Sequence, residues 1–177
     1  MRSDLLVTGF GPFEGIEVNP SEQLARGCGE RFEIIEVSYD KARRFIEELD
    51  PSSFQTLLMI GAHGFASQMF FETVAHNRFD DRADVSGHRP DKDEIRSGEP
   101  PALKGSLWNQ LDLIRHLEGP ASLSEDAGGY LCNFIYYEAL RRFPNHRVGF
   151  LHVPTFDKLS EDIQAATLKE LIAEIRG

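Results

Sequence analysis

The sequence predicts an α/β fold, a sandwich of helices on a mostly parallel twisted sheet, and three observations carry that expectation. Short apolar runs that end in glycine, proline or polar turn residues alternate with longer stretches of helical period. The chain has 177 residues, 41% of them hydrophobic, which is long enough to bury about two-thirds of its unfolded surface without disulfide or metal staples. No internal repeat and no linker-like shift in composition interrupts it, so a single domain over residues 1–177 is expected.

Leu5–Thr8, Ile34–Val37, Leu57–Ile60 and Val148–Val153 read as buried strands, since each is a compact apolar run closed by turn residues. Helical spacing marks Pro20–Arg26, Lys41–Leu49, Trp108–Leu117, Asn133–Phe143 and Leu159–Ile175, with Asp40 and Ser160 as plausible N-caps. Strands alternating with helices in this way build parallel sheets, because the helix supplies the crossover. Met69–His76 alternates enough to be one further strand, antiparallel or at an edge, and Ala121–Ser124 another. Between Asn77 and Gly105 runs a polar stretch rich in Asp, Arg, Gly and Pro. A loop of that length in a compact domain is more often functional than idle.

Charge narrows the partners. With 29 acidic against 19 basic residues the formal charge is −10, which repels nucleic acid and anionic membrane and leaves small neutral or peptide substrates open. Two cysteines, Cys28 and Cys132, do not make a disulfide framework, and a reduced compartment is the simpler setting. The N-terminal run turns to glycine too early for a signal peptide, and no apolar stretch approaches the ~20 residues of a membrane span. A cytoplasmic location is expected.

Cys132 and His152 are the residues most suggestive of chemistry. Cys132 follows Gly128-Gly129 and stands in or just before the first turn of the helix expected from Asn133, where backbone N–H groups point outward. His152 lies near the end of the apolar run Val148–Val153, at the edge where parallel sheets gather their sites. A helix N-terminus beside an imidazole is what a thiol needs to act as a nucleophile, and the two glycines would let free amides approach the sulfur as an oxyanion site. The duller alternatives are a buried small hydrophobe and a strand-end histidine bonded to backbone. Glu72 is the preferred third member: it interrupts the apolar run Met69–Ala75, and a carboxylate on a buried strand needs a partner. An edge-strand charge facing solvent explains Glu72 equally well. Cys28, between Gly27 and Gly29, reads as a bystander.

Two other readings are weaker. The opening loop Thr8-Gly-Phe-Gly-Pro-Phe-Glu-Gly15 follows a strand and invites a dinucleotide, but Gly15 comes one residue late and Pro12 removes an amide donor. Phe10 and Phe13 suggest instead an apolar slot for a flat, uncharged group, or two core aromatics beside a tight turn. His63, His76, Asp80, Asp81, Asp84 and His88 could be gathered as metal ligands, yet their spacing matches no metal motif. No metal and no cofactor is expected.

These segments together resemble the pyroglutamyl peptidase I family, the pyrrolidone-carboxylate peptidases that remove N-terminal pyroglutamate from peptides. The likeness rests on Thr-Gly-Phe-Gly-Pro-Phe13 with Gly15 and Asn19-Pro-Ser21, on Glu72-x-x-Ala-x-Asn77, on Ala127-Gly-x-x-x-Cys-Asn133 and on Gly149-Phe-x-His-x-Pro154. It implies a single three-layer α/β/α domain, often tetrameric, acting on pyroglutamyl peptides. It implies Cys132 as nucleophile, His152 as base and Glu72 as the orienting acid, with Arg82 near the oxyanion. Phe10 and Phe13 match aromatics that enclose the lactam ring, and Tyr130 and Leu131 occupy further pocket positions.

The departures fall in the pocket. Gly61-Ala-His-Gly-Phe65 stands where the family pattern is Gly-(Gln/Glu)-Ala-Gly-Gly, Asp80-Asp-Arg-Ala-Asp-Val85 stands for Asp-Ala-Arg-Ile-Pro-Asp, and Tyr130 replaces a phenylalanine. A binding-only homologue is therefore the alternative to an active peptidase. The Tyr130 hydroxyl needs a partner when buried and Ala62 leaves space, so these two changes are expected to compensate each other.

Overall fold

The structure is a computed structural model that describes residues 4–108 and 120–177. In chain order its elements are β1 (Leu5–Phe10), α1 (Pro20–Gly27), β2 (Arg31–Ile35), α2 (Tyr39–Glu48), β3 (Thr56–Ala62), β4 (Met69–Glu72), β5 (Val74–His76), β6 (Ala102–Lys104), β7 (Ala121–Ser124), α3 (Leu131–Arg142), β8 (Arg147–Val153) and α4 (Glu161–Arg176). The helix expected over Trp108–Leu117 lies outside the described residues, apart from Trp108 itself.

Six strands form one sheet in the order β2-β1-β3-β8-β4-β7. All neighbours are parallel except β4 and β8, which run antiparallel. Alternate residues of each strand feed two separate cores, which is why the central strands read as continuous apolar runs. Leu6, Leu57, Met59, Val148 and Phe150 pack with Ala42 and Ile46 of α2 and with Phe134 and Tyr137 of α3. Leu5, Val7, Leu58, Ile60, Leu151 and Val153 pack on the opposite face with Leu24 of α1 and Leu168 and Leu171 of α4. The result is an α/β fold with helices on both faces of a mixed, mostly parallel sheet.

The caps explain where the helices start. Asn19 accepts the Ser21 N–H at 3.0 Å, and Pro20 occupies the first helical position, where its missing N–H costs nothing. Ser38, rather than the expected Asp40, caps α2 by accepting from the Lys41 N–H at 3.4 Å, and Asp40 sits inside the first turn, where its charge favours the helix dipole. Ser160 holds the N-cap position of α4 without a side-chain cap bond.

The single strand expected over Met69–His76 divides at Thr73. The Glu72 carbonyl accepts from the Trp108 indole and the Tyr136 hydroxyl, both at 2.8 Å, while the Thr73 N–H donates to Ser124 at 2.7 Å. With those groups committed, the chain leaves the main sheet, and β5 pairs with β6 in a two-stranded antiparallel ribbon. Ala121–Ser124 is a strand, as expected, and forms the edge beside β4.

The polar stretch after Asn77 is tied down at several points. The Asn133 amide brackets its start, accepting from the His76 N–H and donating to the carbonyls of His76 and Arg78. Arg96 makes a two-bonded contact with the buried Glu138 carboxylate at 2.9 and 2.8 Å. Among the described residues no helix is long and apolar enough to cross a membrane.

Candidate active site

Strands β1, β3 and β8 are parallel neighbours, so their C-terminal ends and the loops that follow open on one edge of the sheet. A cavity of about 450 Å³ lies there. Phe10, Phe13, Arg82, Tyr130, Leu131, Cys132 and His152, all singled out by the sequence, line it together with Ala62, His63 and Phe65. Glu72 lies behind His152 rather than in the wall, with 1% of its surface exposed.

The strand register brings Glu72 to His152. Phe70 opposes His152 and Glu72 opposes Phe150, so Glu72 and His152 are diagonal neighbours on one face of the antiparallel pair, within reach of each other's side chains. Glu72 Oε1 lies 2.6 Å from His152 Nδ1. The solvent-facing alternative for Glu72 is thus excluded. Its other oxygen has no hydrogen-bond partner among the described residues. Burial acts to lower the His152 pKa, but the charge and hydrogen bond of Cys132, followed by those of Glu72, override it and hold the imidazole well above its ordinary value.

Cys132 occupies the first turn of α3, which has Tyr130 at its N-cap position and no side chain capping it. The first-turn amides, which have no partner within the helix, and the positive end of the helix dipole therefore lie beside the sulfur. Across from it, a Cβ added to Gly61 would sit 2.6 Å from Cys132 Sγ and 2.7 Å from Phe150 Cζ. Only glycine lets β3 pass this close to the thiol, a requirement the sequence reading missed.

The Gly128-Gly129 turn works differently from the expectation. The Gly128 N–H donates to Asp126 Oδ1 at 2.9 Å, and the Gly129 carbonyl accepts from the Asp80 N–H at 2.8 Å. The Gly128 amide is therefore already committed, and the donors left near the sulfur among the described residues belong to the helix turn. The Asp80 contact draws the following segment over the site, where the Arg82 guanidinium stacks 4.1 Å from the centre of the Tyr130 ring. The Tyr130 hydroxyl donates to the Ala83 carbonyl at 2.9 Å, so its partner is not in the space left by Ala62, and the expected compensation between those positions is replaced by a backbone bond.

Asp84 anchors the same segment, accepting from the N–H groups of Tyr39, Ser86 and His88 at 2.9 to 3.1 Å. His63 packs its ring edge-on to His152 with centroids 5.4 Å apart. Burial and the neighbouring His152 lower its pKa. A histidine directly after β3, the strand beside that of His152, was the signal that could have placed it here.

The residues of the metal reading have other occupations. His63 faces His152, His76 Nε2 bonds the Glu125 carbonyl at 2.8 Å, Asp81 pairs with Arg89 at 2.8 Å, and Asp84 serves backbone amides. The opening loop offers little to a dinucleotide phosphate: the Phe10 N–H donates to Ser21 Oγ and the Gly11 N–H to the Ile35 carbonyl. Gly9 is needed for helix packing, since a Cβ there would collide with the Ser21 carbonyl oxygen. The Cys28 thiol donates to the Ala25 carbonyl, and burial pushes its pKa up.

Comparison with known proteins shows the family. The sequence profile of the pyroglutamyl peptidase family matches residues 3–168. A pyrrolidone-carboxylate peptidase of Streptococcus suis is 32% identical, over 98% of this chain and 87% of its own. One from Bacillus subtilis is 30% identical, over 95% and 88%. The crystal structure of Bacillus amyloliquefaciens pyroglutamyl peptidase I superposes with a TM-score of 0.84 at 28% identity, covering 94% of this chain and 93% of that one. A mutant pyrrolidone carboxyl peptidase from Pyrococcus furiosus gives 0.84 at 26% identity, covering 97% and 96%. With more than half its length matched by the family profile and its fold shared with these structures, the chain belongs to the pyroglutamyl peptidase family.

Proposed function

We propose that this chain is a cysteine exopeptidase that releases N-terminal pyroglutamate from peptides through Cys132, His152 and Glu72. The observation that carries the reading is the 2.6 Å Glu72–His152 contact behind a cavity that Cys132 shares with the aromatic rings of Phe10, Phe13 and Tyr130. A flat, uncharged lactam fits between such rings. The Cys132 sulfur attacks the carbonyl that joins pyroglutamate to the next residue, and the bond to the leaving nitrogen breaks as His152 protonates it. Water, deprotonated by His152, then hydrolyses the thioester. Glu72 fixes the imidazole tautomer and stabilises its charged form. First-turn amides of α3, with Arg82, stabilise the oxyanion, where a single donor is worth about 3 kcal/mol. The family likeness extends the proposal to a homo-tetramer in the cytoplasm.

The test is hydrolysis of a pyroglutamyl-coumarin amide. Wild-type turnover that Cys132→Ala abolishes supports the reading. Rapid alkylation of Cys132 without turnover of any pyroglutamyl substrate would keep the reactive thiol and remove the substrate assignment, leaving the binding-only alternative.

A further inference from the structure

Phe65 is 95% exposed, yet it lines the same cavity as Cys132 and His152. A single exposed apolar side chain needs no explanation, but this one stands at the rim of a reaction cavity on a loop held from both sides. Its N–H donates to His63 Nδ1 at 3.3 Å, and the Ala66 N–H donates to the His63 carbonyl at 3.1 Å. From the other side the Lys158 ammonium donates to the Gly64 carbonyl and lies 5.7 Å from the centre of the Phe65 ring. The loop backbone is held while the ring stands almost wholly open beside the cavity.

The sheet order says which part of a substrate meets that face. β1, β3 and β8 lie side by side, so Phe10 at the end of β1 and Phe13 after it stand on one flank of Cys132, which rests against Gly61 of β3, and His152 of β8 stands on the other. The lactam belongs with the aromatics on the β1 flank. The leaving amine has to meet His152 on the β8 flank. The loop after β3 turns toward that flank: the His63 N–H donates to the Val153 carbonyl at 2.8 Å, and its ring meets the His152 ring.

We infer that Phe65 walls the subsite for the residue that follows pyroglutamate and favours an aromatic or large apolar side chain there. The inference rests on the peptidase reading above. Burying two apolar faces against each other removes both from water, which is the driving force for the selection. Lys158 beside the ring disfavours a basic residue at the same place. The family pattern ends this loop in glycine, which offers no such wall, so the preference belongs to this chain.

The experiment compares kcat/KM for pyroglutamyl-phenylalanine amide and pyroglutamyl-glycine amide in the wild type, Phe65→Gly and Phe65→Leu. A wild-type preference of about tenfold for phenylalanine is expected, from the usual worth of a small apolar contact. Phe65→Gly should bring the ratio close to one by lowering kcat/KM for the phenylalanine substrate more than for the glycine substrate, and Phe65→Leu should keep most of the preference. An unchanged ratio in Phe65→Gly, or a wild type that favours glycine, overturns the inference while leaving the peptidase reading intact. A changed oligomer size with a constant ratio would make Phe65 a subunit contact and overturn it likewise. If neither substrate is cleaved, the peptidase reading falls and takes this inference with it.

Discussion

Glu72 and His152 stand two residues out of register on the antiparallel strands β4 and β8, and this diagonal offset brings a carboxylate oxygen to 2.6 Å from the imidazole Nδ1. Shifted by one residue in either direction, the two side chains would point to opposite faces of the sheet. The carbonyl of Glu72 is itself held by Trp108 and Tyr136, so the carboxylate is aimed by its own backbone.

Glu72→Gln should lower kcat on the order of 10²-fold with little change in KM, because the carboxylate stabilises and aligns the charged imidazole that hands its proton to the leaving amine. The pH profile gives an independent readout. The native contacts raise the His152 pKa, so loss of the protonated form, the alkaline limb of kcat/KM, is expected well above the ordinary imidazole range. Removing the negative charge of Glu72 removes a stabiliser of the charged form and should move that limb to lower pH. An unmoved limb would take Glu72 out of the proton-transfer machinery.

Cys132→Ala should abolish turnover while Cys28→Ser leaves it nearly intact. Burial pushes the Cys28 thiol up, which lowers its thiolate population, whereas Cys132 lines the open cavity at a helix N-terminus. Peptide mapping after brief iodoacetamide treatment should find the label on Cys132. Faster labelling of Cys28 would reverse the assignment.

Gly61→Ala is a test of how closely β3 must pass the thiol. The new methyl would come within 2.7 Å of both Cys132 Sγ and Phe150 Cζ, and Phe150 is fully buried and has no room to yield. A cost of about 1–3 kcal/mol in urea unfolding is expected from this overpacking, together with a loss of kcat as the sulfur is displaced from His152. Unchanged stability and turnover would show that the strand relaxes freely.

Much of the fold was legible because the central strands are apolar on both faces, and a run such as Leu57–Ile60 announces its own burial. The boundaries of β2 were hidden, since Arg31 and Glu33 alternate with Phe32 and Ile34 on a sheet edge and mask the strand with charge. β6 is only Ala102-Leu-Lys104, exposed at both ends, and three residues are too few to show an alternating pattern. At the site, Cys132 and His152 were readable from what flanks them along the chain, but the choice between a paired and a solvent-facing Glu72 depended on strand register. Register belongs to the fold and is not a property of either strand alone. The same limit concealed Gly61, whose reason for being glycine is a sulfur 71 positions away in the sequence.

Asp84 should link the loop over the cavity to acid stability. Burial acts to raise its pKa, but bonds from Ser86, Tyr39 and His88 outweigh it, and the folded value is lower than the unfolded one. A depressed carboxylate contributes stability above its unfolded pKa and loses it as pH falls through the folded one, so this contribution is present at neutral pH and fades below about 4. Asp84→Asn should cost about 1–3 kcal/mol at pH 7 and much less in strong acid. It should also raise KM, because Arg82 and Tyr130 are held by the same segment. A penalty independent of pH would mean that the carboxylate charge is not what anchors the loop.

The exchange of phenylalanine for Tyr130 supplies the last expectation. Since the Tyr130 hydroxyl donates to the Ala83 carbonyl at 2.9 Å, it ties the Arg82 segment to the start of α3 and contributes nothing to the space beside Ala62. Tyr130→Phe should weaken pyroglutamyl substrates by roughly 1 kcal/mol, the usual worth of one such bond, through a looser placement of Arg82. Ala62→Gln acts by another route: its amide offers a polar partner to a lactam that must pair its N–H and C=O when buried, and KM should fall. With no shared hydrogen-bond partner, the two changes should add within about 0.5 kcal/mol in a double-mutant cycle on kcat/KM. A coupling of 1 kcal/mol or more would show that the hydroxyl leaves Ala83 when substrate binds and reaches toward position 62 after all.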